Sequence, residues 1–314
     1  MISLLVQRAA VLMLRPAAMA AEALFVPGGN IMIFAIPIAA LALTASSVPV
    51  HSQYMVATPN TPNLRALERS YVSGLLYISV ISVAVLFLSL ILIWKGVSLE
   101  LVAITLSMFV IEKFSDELTR FYEFQKKYSR WFIAQSVRSI WLLVPVACYN
   151  LGADYLHSFF IASMSIAVIT LVNFFFSTHL RPSLSPTGWQ AIRTNAVFLS
   201  SSFLLAIHRQ APRIAVAFAF PKVAHFFQIV AQVGQVVSLL FNVKYVIPYR
   251  AVMSRRPRLF ERMLSAAFLK IIQAVIAMLV LASLAIPVAD LPLGHEIMMV
   301  ALTVAMVADA LAFS

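Results

Sequence analysis

Basic side chains occur inside or at the edges of long apolar runs in this chain, where little water is available to a charge. The arginines among them are Arg8, Arg15, Arg138, Arg193, Arg209 and Arg213, and Lys270 lies in a similar position. A guanidinium is permanently charged and offers a planar fork of donors, so it suits phosphate and carboxylate groups. Charged residues inside apolar spans are costly and are found mainly where they face a functional cavity. We therefore predict that these six arginines bind an anionic substrate.

A second group of charges follows an apolar run in the segment EKFSDELTR. Glu112, Asp116 and Arg120 are four residues apart, and Lys113 and Glu117 have the same spacing. On a helix such residues lie on adjacent turns and can form ion pairs. Two interpretations stay open. The segment is an exposed helix end outside a membrane, or its ion pairs form a gate at the mouth of a central cavity.

Motifs for catalysis and for cofactor binding are missing from the sequence. It has no Gly-rich phosphate loop and no HExxH, GxSxG or CxxC motif. His208 and His225 are close enough in sequence to approach each other, but two histidines without a neighbouring carboxylate make a weak metal site. We predict that the protein is not an enzyme and that it uses no metal and no cofactor.

The composition indicates which elements position these side chains. Hydrophobic residues make up 62% of the 314 residues and charged residues 11%, against about half and about a quarter in soluble domains. The excess comes in runs of roughly 20 residues without alternation, which favours membrane-spanning helices over a β-barrel. We predict an all-α polytopic transmembrane bundle with roughly ten spans. The spans are residues 3–26, 30–50, 71–94, 99–111, 131–150, 155–177, two within 188–250, 263–288 and 296–313.

The first apolar run is unusual because Arg8, Arg15 and Glu22 interrupt it at intervals of seven. That interval drifts by only about 20° on a helix, so the three side chains share one face. Three interpretations are open: a signal peptide, an interfacial amphipathic helix, or a spanning helix whose charged face looks into a cavity. The positive charges lie within the apolar stretch and not ahead of it, which argues against a signal peptide. Of the three interpretations we favour the third.

Basic residues are concentrated after the second, fourth, sixth and eighth predicted spans. This asymmetry places those connections and both termini in the cytoplasm. The net charge of +11 is therefore explained by loops that face anionic lipid, and we predict no nucleic-acid partner. Arg209 and Arg213 lie in a connection on the opposite side. They are either tolerated there or retained for an anionic ligand.

The stretch from Gly188 to Arg250 carries a resemblance to a known family. The stretch resembles the middle of the polysaccharide flippases, the O-antigen and exopolysaccharide translocases. The resemblance lies in an apolar helix with scattered polar residues, followed by HRQAPRI, FFQIVAQVGQVV and YVIPYR. EKFSDELTRFYE is similar to the family's charged linker, and Arg8 and Arg15 are similar to cavity arginines of related precursor flippases. The sequence departs from the family where His208 replaces the acidic member of an acidic–arginine pair.

The resemblance implies two six-helix lobes around a V-shaped cavity, with alternating access. Residues 1–180 would form the N-terminal six-helix lobe, and residues 181–314 a partial C-terminal lobe of about four helices. The implied activity is to flip or export a lipid-linked oligosaccharide, carried on polyprenyl pyrophosphate, across the inner membrane. Membrane lipids and polysaccharide-assembly proteins are the implied partners.

Two other functions stay open at this point. One is a membrane-embedded polymerase or ligase of surface polysaccharide, although such enzymes usually carry a long outer loop and the outer connections predicted here are short. The other is a truncated, non-transporting subunit, since roughly ten spans do not complete two six-helix lobes.

Overall fold

The computed structural model describes residues 2–43, 64–93, 98–124, 127–178 and 186–194, together with parts of 204–232. Over these residues the chain is helical and contains no strand, so the predicted all-α class is confirmed for the part described. The main helices, in chain order, are α1 (Ile2–Phe25), α2 (Ile31–Leu43), α3 (Leu64–Ile93), α4 (Leu99–Phe124), α5 (Tyr128–Ile140), α6 (Leu143–Asn150), α7 (Tyr155–Thr178) and α8 (Pro186–Thr194). The predicted ninth and tenth spans lie outside the described residues.

By its internal contacts the chain forms two compact units. One unit comprises Ala18–His225, and the other comprises Met1–Ala17 with Phe226–Ser314. The lobe boundary predicted at residue 180 lies within residues 179–185, which are outside the described residues. The two-lobe division therefore stays a prediction.

Helix α4 is the central element of the unit Ala18–His225, because α3, α5 and α7 all pack against it. Ser98 precedes its first turn, and the Ser98 hydroxyl accepts a hydrogen bond from the Leu101 N–H at 3.2 Å, as an N-cap does. The helix then continues through both the apolar segment and the charged segment. Its charged residues are therefore positioned by the same packing that buries its apolar residues.

An aromatic cluster fixes the second half of α4 against α7. The rings of Phe114 and Phe174 meet edge to face, with centroids 5.3 Å apart, an arrangement that aromatic pairs prefer. Leu118, Tyr71 and Trp131 are buried in the same cluster, so it also joins α3 and α5 to α4. This cluster sets the register of α3, α5 and α7 along the charged face of α4.

The predicted span 131–150 is not one straight helix but two, α5 and α6, with a bend of 44° between them. Pro145 supplies the physical reason. A proline has no N–H to donate to the carbonyl four residues earlier, and its ring crowds that carbonyl. The Trp141 carbonyl accepts instead from the Val144 N–H at 3.0 Å, a tighter i,i+3 bond, and the helix turns there.

Helix α7 coincides with the predicted sixth apolar span and is long and apolar enough to cross a bilayer. Its 24 residues extend about 36 Å, against about 30 Å for the hydrocarbon core. The bent pair α5–α6 passes the same test if it is taken as one broken span. The described residues thus contain one helix able to span a membrane, or two with the bent pair.

Candidate functional site

A guanidinium–carboxylate pair joins α5 to α4 in the interior of the unit Ala18–His225. Arg138, in the last turn of α5, donates from Nε to Oε2 of Glu112 at 2.7 Å, and its Nη2 donates to the same oxygen. Its Nη1 lies 3.8 Å from Oδ1 of Asp116, one turn further along α4. Arg138 therefore lies between two carboxylates on adjacent turns of α4, although it is 26 residues from Glu112 in sequence.

Asp116 also forms the ion pair that its spacing predicts. The Nη2 atom of Arg120 lies 2.8 Å from Oδ2 of Asp116, at the partly exposed edge of the cluster. Glu112, Arg138, Asp116 and Arg120 thus form a ladder of alternating charge, which we call the α4–α5 ladder. Its two carboxylates and two guanidiniums sum to zero. Asp116 is shared by both arginines, so it could exchange one partner for the other if α5 moved.

A second predicted pair is buried more deeply. Nζ of Lys113 lies 3.3 Å from Oε1 of Glu117, and both side chains are only 1% exposed. The hydroxyl of Tyr71 on α3 donates to Oε2 of Glu117 at 2.7 Å. Both oxygens of the Glu117 carboxylate therefore have donors, which offsets the cost of removing it from water.

The interpretation of this segment as an exposed helix end is wrong for Glu112, Lys113 and Glu117, which are all buried. The physical reason is that α3, α5 and α7 surround the second half of α4, so these three charges face other helices and not solvent. A role of the α4–α5 ladder as a gate stays a prediction.

Glu22 is a further buried charge, and three separate segments contribute its partners. It is fully buried near the end of α1. Its Oε1 accepts from the Tyr155 hydroxyl of α7 at 2.7 Å and from the Met32 N–H in the first turn of α2 at 3.2 Å. Its Oε2 lies 3.1 Å from Nε2 of His225. A carboxylate is favourable at a helix N-terminus, where backbone N–H groups lack partners within the helix.

A sharp turn between α1 and α2 makes this arrangement possible. Gly28 has φ of 76°, a left-handed conformation that costs glycine little and other residues more. The Gly29 N–H bonds the Val26 carbonyl at 2.8 Å, which closes the turn. The first turn of α2 thereby comes back to the Glu22 side chain.

Tyr155 is held in position by neighbouring rings. Its ring packs edge to face with Phe159 at 5.8 Å and with Tyr149 at 6.1 Å, and Trp141 packs on Phe159 at 5.5 Å. These contacts link the bend between α5 and α6 to the carboxylate of Glu22. They leave the Tyr155 hydroxyl little freedom to turn away from its acceptor.

Sequence reasoning missed the partner of His225. It took His225 to lack a neighbouring carboxylate, and that expectation is wrong, because Glu22 lies beside it across 203 positions of sequence. The available signal was Glu22 itself, since an acidic residue in an apolar run must find donors or a counter-charge. Nothing in the sequence states which of the distant residues supplies them.

The six predicted substrate arginines have different environments. Arg138 is held by Glu112 and Asp116 as described, Arg193 is exposed in the last turn of α8, and Arg213 is buried in the helical run 213–218. Arg15 is partly buried on α1. Arg8 also lies on α1, but the structure does not describe its side chain. Arg209 lies outside the described residues. Substrate binding by these arginines stays a prediction.

No clusters of three or more potential metal ligands occur in the described ranges. Compared with protein-family models, with curated proteins and with solved structures, the chain gives no match.

Proposed function

We propose that this chain is a multi-pass transporter of the inner membrane that flips or exports a lipid-linked oligosaccharide by alternating access. The observation that carries the proposal is the combination of two features in the unit Ala18–His225. Several charged side chains are buried within its apolar core, and large apolar side chains are exposed along several of its helices. Charged side chains are rarely fully buried in water-soluble domains, and then as pairs.

The interior of this unit holds several charged groups at once. Glu22, Glu112, Lys113 and Glu117 are all buried, and Arg138 is mostly buried. Charges inside a membrane bundle are costly and usually belong to a substrate path, a relay or a gate. The shared position of Asp116 in the α4–α5 ladder fits a gate, since alternating access needs contacts that can exchange.

The exterior of the same unit is apolar over several helices. Exposed residues follow helical spacing along one face of α7 and along the bent pair α5–α6. They are Ile161, Val168, Val172 and Phe176 on α7, and Ile133, Val137, Ile140 and Val144 on α5–α6. Apolar stripes of this length on a water-exposed surface would be an association liability, whereas in a bilayer they contact lipid tails.

The proposed substrate follows from charge. The chain has a net charge of +11, and its intramembrane positions contain more arginine than acid. Within the α4–α5 ladder the arginine charge is already balanced. The other arginines predicted from the sequence, Arg8, Arg15, Arg193, Arg209 and Arg213, stay individual candidates for contacts with the pyrophosphate of the substrate, while Arg138 would be released to the substrate only when the ladder rearranges.

A charge at the centre of α7 tests the membrane placement. Val168 lies near the middle of the helix and is 57% exposed, so Val168→Asp puts a carboxylate into the lipid. We expect this to cost about 2.5–3.5 kcal/mol of insertion free energy and to lower the inserted fraction of α7 in a glycosylation-mapping assay. Val168→Leu is the control and should insert as the wild type does. Equal insertion of both variants contradicts a lipid-facing α7.

Transport itself is tested with the arginines. We expect Arg8→Ala, Arg15→Ala and Arg209→Ala each to reduce surface polysaccharide in a strain that depends on this gene. The same variants should slow flipping of a fluorescent polyprenyl-pyrophosphate saccharide in proteoliposomes. Arg130→Ala serves as control, since it removes an exposed cation of the same kind that belongs neither to the ladder nor to the predicted substrate arginines. Wild-type rates for all three variants reject the proposed substrate path.

A further inference from the structure

Helices α4 and α7 run in the same direction through the unit Ala18–His225. Three residues of α4, taken in chain order, contact three residues of α7 in the same order. The pairs are Glu100 with His157 at 3.9 Å, Ser107 with Met164 at 2.9 Å and, between ring centroids, Phe114 with Phe174 at 5.3 Å. The C-terminal ends of α4 and α7 therefore lie at the same end of the unit.

Helices α3 and α5 begin at that end. The Tyr71 hydroxyl, in the first third of α3, donates to Glu117 near the end of α4 at 2.7 Å. Trp131, in the first turn of α5, is buried in the same cluster as Tyr71. At the opposite end, Tyr149 of α6 meets Tyr155 at the start of α7, with ring centroids 6.1 Å apart. The bent pair α5–α6 therefore crosses the unit once, from one end to the other.

The two ends of the unit differ in charge. The segments 64–71 and 120–131, at the first end, contain six basic and two acidic residues. The segments 93–100 and 148–157, at the opposite end, contain one lysine and two acidic residues. We call the first end the basic end. The exposed cations that the structure describes there are Arg69, Lys127 and Arg130. The basic end is therefore complementary in charge to anionic groups.

Lys127 and Arg130 lie on the face of α5 that carries its exposed apolar residues. Ile133 and Val137, which we call the α5 stripe, follow Arg130 at the spacing of one helix face, and Lys127 precedes it by three residues. Tyr128 is 43% exposed, and the first turn of α5 contains no acidic residue. Tyrosine and long cationic side chains are typical of the level at which lipid tails give way to headgroups. The α5 stripe thus ends in two cations where lipid phosphates would lie.

We propose that Lys127 and Arg130 bind the phosphate of an anionic phospholipid whose acyl chains lie along the α5 stripe. A soluble anion uses the cations alone, whereas a phospholipid uses both the cations and the apolar residues beside them. The occupant is therefore a phospholipid and not free phosphate. The inference rests on the membrane placement proposed above, but it concerns the outer surface of the bundle and not the substrate path.

The test measures the phospholipid that the full-length protein retains in native mass spectrometry. Protein in detergent micelles is titrated with phosphatidylglycerol or with phosphatidylcholine of the same acyl chains. We expect the wild type to retain phosphatidylglycerol in preference. Lys127→Gln and Arg130→Gln should each weaken its binding about fivefold, the equivalent of about 1 kcal/mol for one basic residue near an anionic surface. Arg130→Lys keeps the charge and should retain phosphatidylglycerol.

Arg69→Gln provides the matched control. It removes an exposed arginine from the same basic end, but from α3 and not from the face of the α5 stripe. Binding of phosphatidylglycerol should therefore stay at the wild-type level. If Arg69→Gln weakens binding as much as Arg130→Gln does, the lipid is held by the overall charge of the basic end and the proposed site is wrong. Equal retention of the two phospholipids by the wild type also overturns it.

Inorganic pyrophosphate distinguishes a phospholipid site from a site for soluble anions. Added at the concentration of the lipid and at constant ionic strength, it should leave phosphatidylglycerol bound, because it makes no contact with the α5 stripe. Displacement of the lipid under these conditions rejects a phospholipid as the occupant.

The lipid site and the transport function fail separately. In proteoliposomes of phosphatidylcholine alone, neither the wild type nor Arg130→Ala holds an anionic phospholipid, so the two should flip substrate at the same rate. Weaker retention of phosphatidylglycerol by Arg130→Gln together with that equal rate supports a lipid site outside the substrate path. Slower flipping by Arg130→Ala in these liposomes places Arg130 in the substrate path and rejects the proposal.

Discussion

Replacing Arg138 with methionine is expected to destabilise the protein more than any other single change in the α4–α5 ladder. The change leaves the buried Glu112 carboxylate without the guanidinium that now donates to it twice. Removing one partner of a buried ion pair costs about 3–5 kcal/mol, because the other charge stays buried. The free energy of unfolding, measured by detergent-denaturant titration of the full chain, should fall by that amount.

The other single changes in the ladder should have graded effects. Glu112→Gln should cost less than Arg138→Met, because Asp116 remains 3.8 Å from the guanidinium. Arg120→Met is the control, since its pair with Asp116 is partly exposed, at 32% and 20%, and such pairs contribute about 0–1 kcal/mol.

The double variant Glu112→Met with Arg138→Met separates an ion pair from simple packing. Replacing both members by apolar groups of similar volume is often neutral or stabilising, so the double variant should recover most of the loss. A double variant as unstable as the sum of the two single changes contradicts the coupling. It would show that the two side chains contribute volume and not a mutual charge interaction.

The second large effect is expected at Lys113 and Glu117. Lys113→Met leaves a carboxylate that is 1% exposed without its ammonium partner, so we expect a loss of about 3–5 kcal/mol. The Tyr71 hydroxyl, which bonds the other oxygen at 2.7 Å, is neutral. It cannot replace the lost charge. Unfolding in mixed micelles, followed by circular dichroism, is the measurement.

Tyr71→Phe gives the matched comparison for this cluster. It removes one hydrogen bond to a charged group and no charge, which costs about 1–3 kcal/mol. Adding Glu117→Gln to Lys113→Met should restore most of the stability, because the amide oxygen still accepts from Tyr71. If Tyr71→Phe proves as damaging as Lys113→Met, packing of the ring against α4 outweighs the charge.

The spacing of residues along single helices was predictable. Asp116 with Arg120 and Lys113 with Glu117 are i,i+4 pairs, and both pairs form. Helical spacing is a local property, so it follows from sequence wherever the helix itself does. Helix α7 likewise follows from a run of apolar residues, and its bounds match the predicted segment to within one residue at each end.

Contacts between helices were not predictable in the same way. Arg138 was assigned to the substrate because it is a cation in an apolar run, yet in the structure it meets Glu112 on α4. The composition indicates that such a charge needs a partner. It does not indicate which residue is the partner, because a carboxylate on any neighbouring helix could pair with it. The bend between α5 and α6 has a local cause in Pro145, but its angle depends on how both helices pack.

The sequence alone determined that the described part of this chain is all-α with long apolar helices, that its charges recur with helical spacing, and that cations exceed acids. These properties follow from composition and from the spacing of residues along a helix, both of which are local and extend over only a few helical turns. Only the tertiary structure decided that α4 is surrounded, that Glu112 engages Arg138, and that Glu22 meets Tyr155 and His225. The physical reason is that a buried charge is stabilised by groups within about 3–4 Å in space, and packing alone brings distant parts of the chain that close.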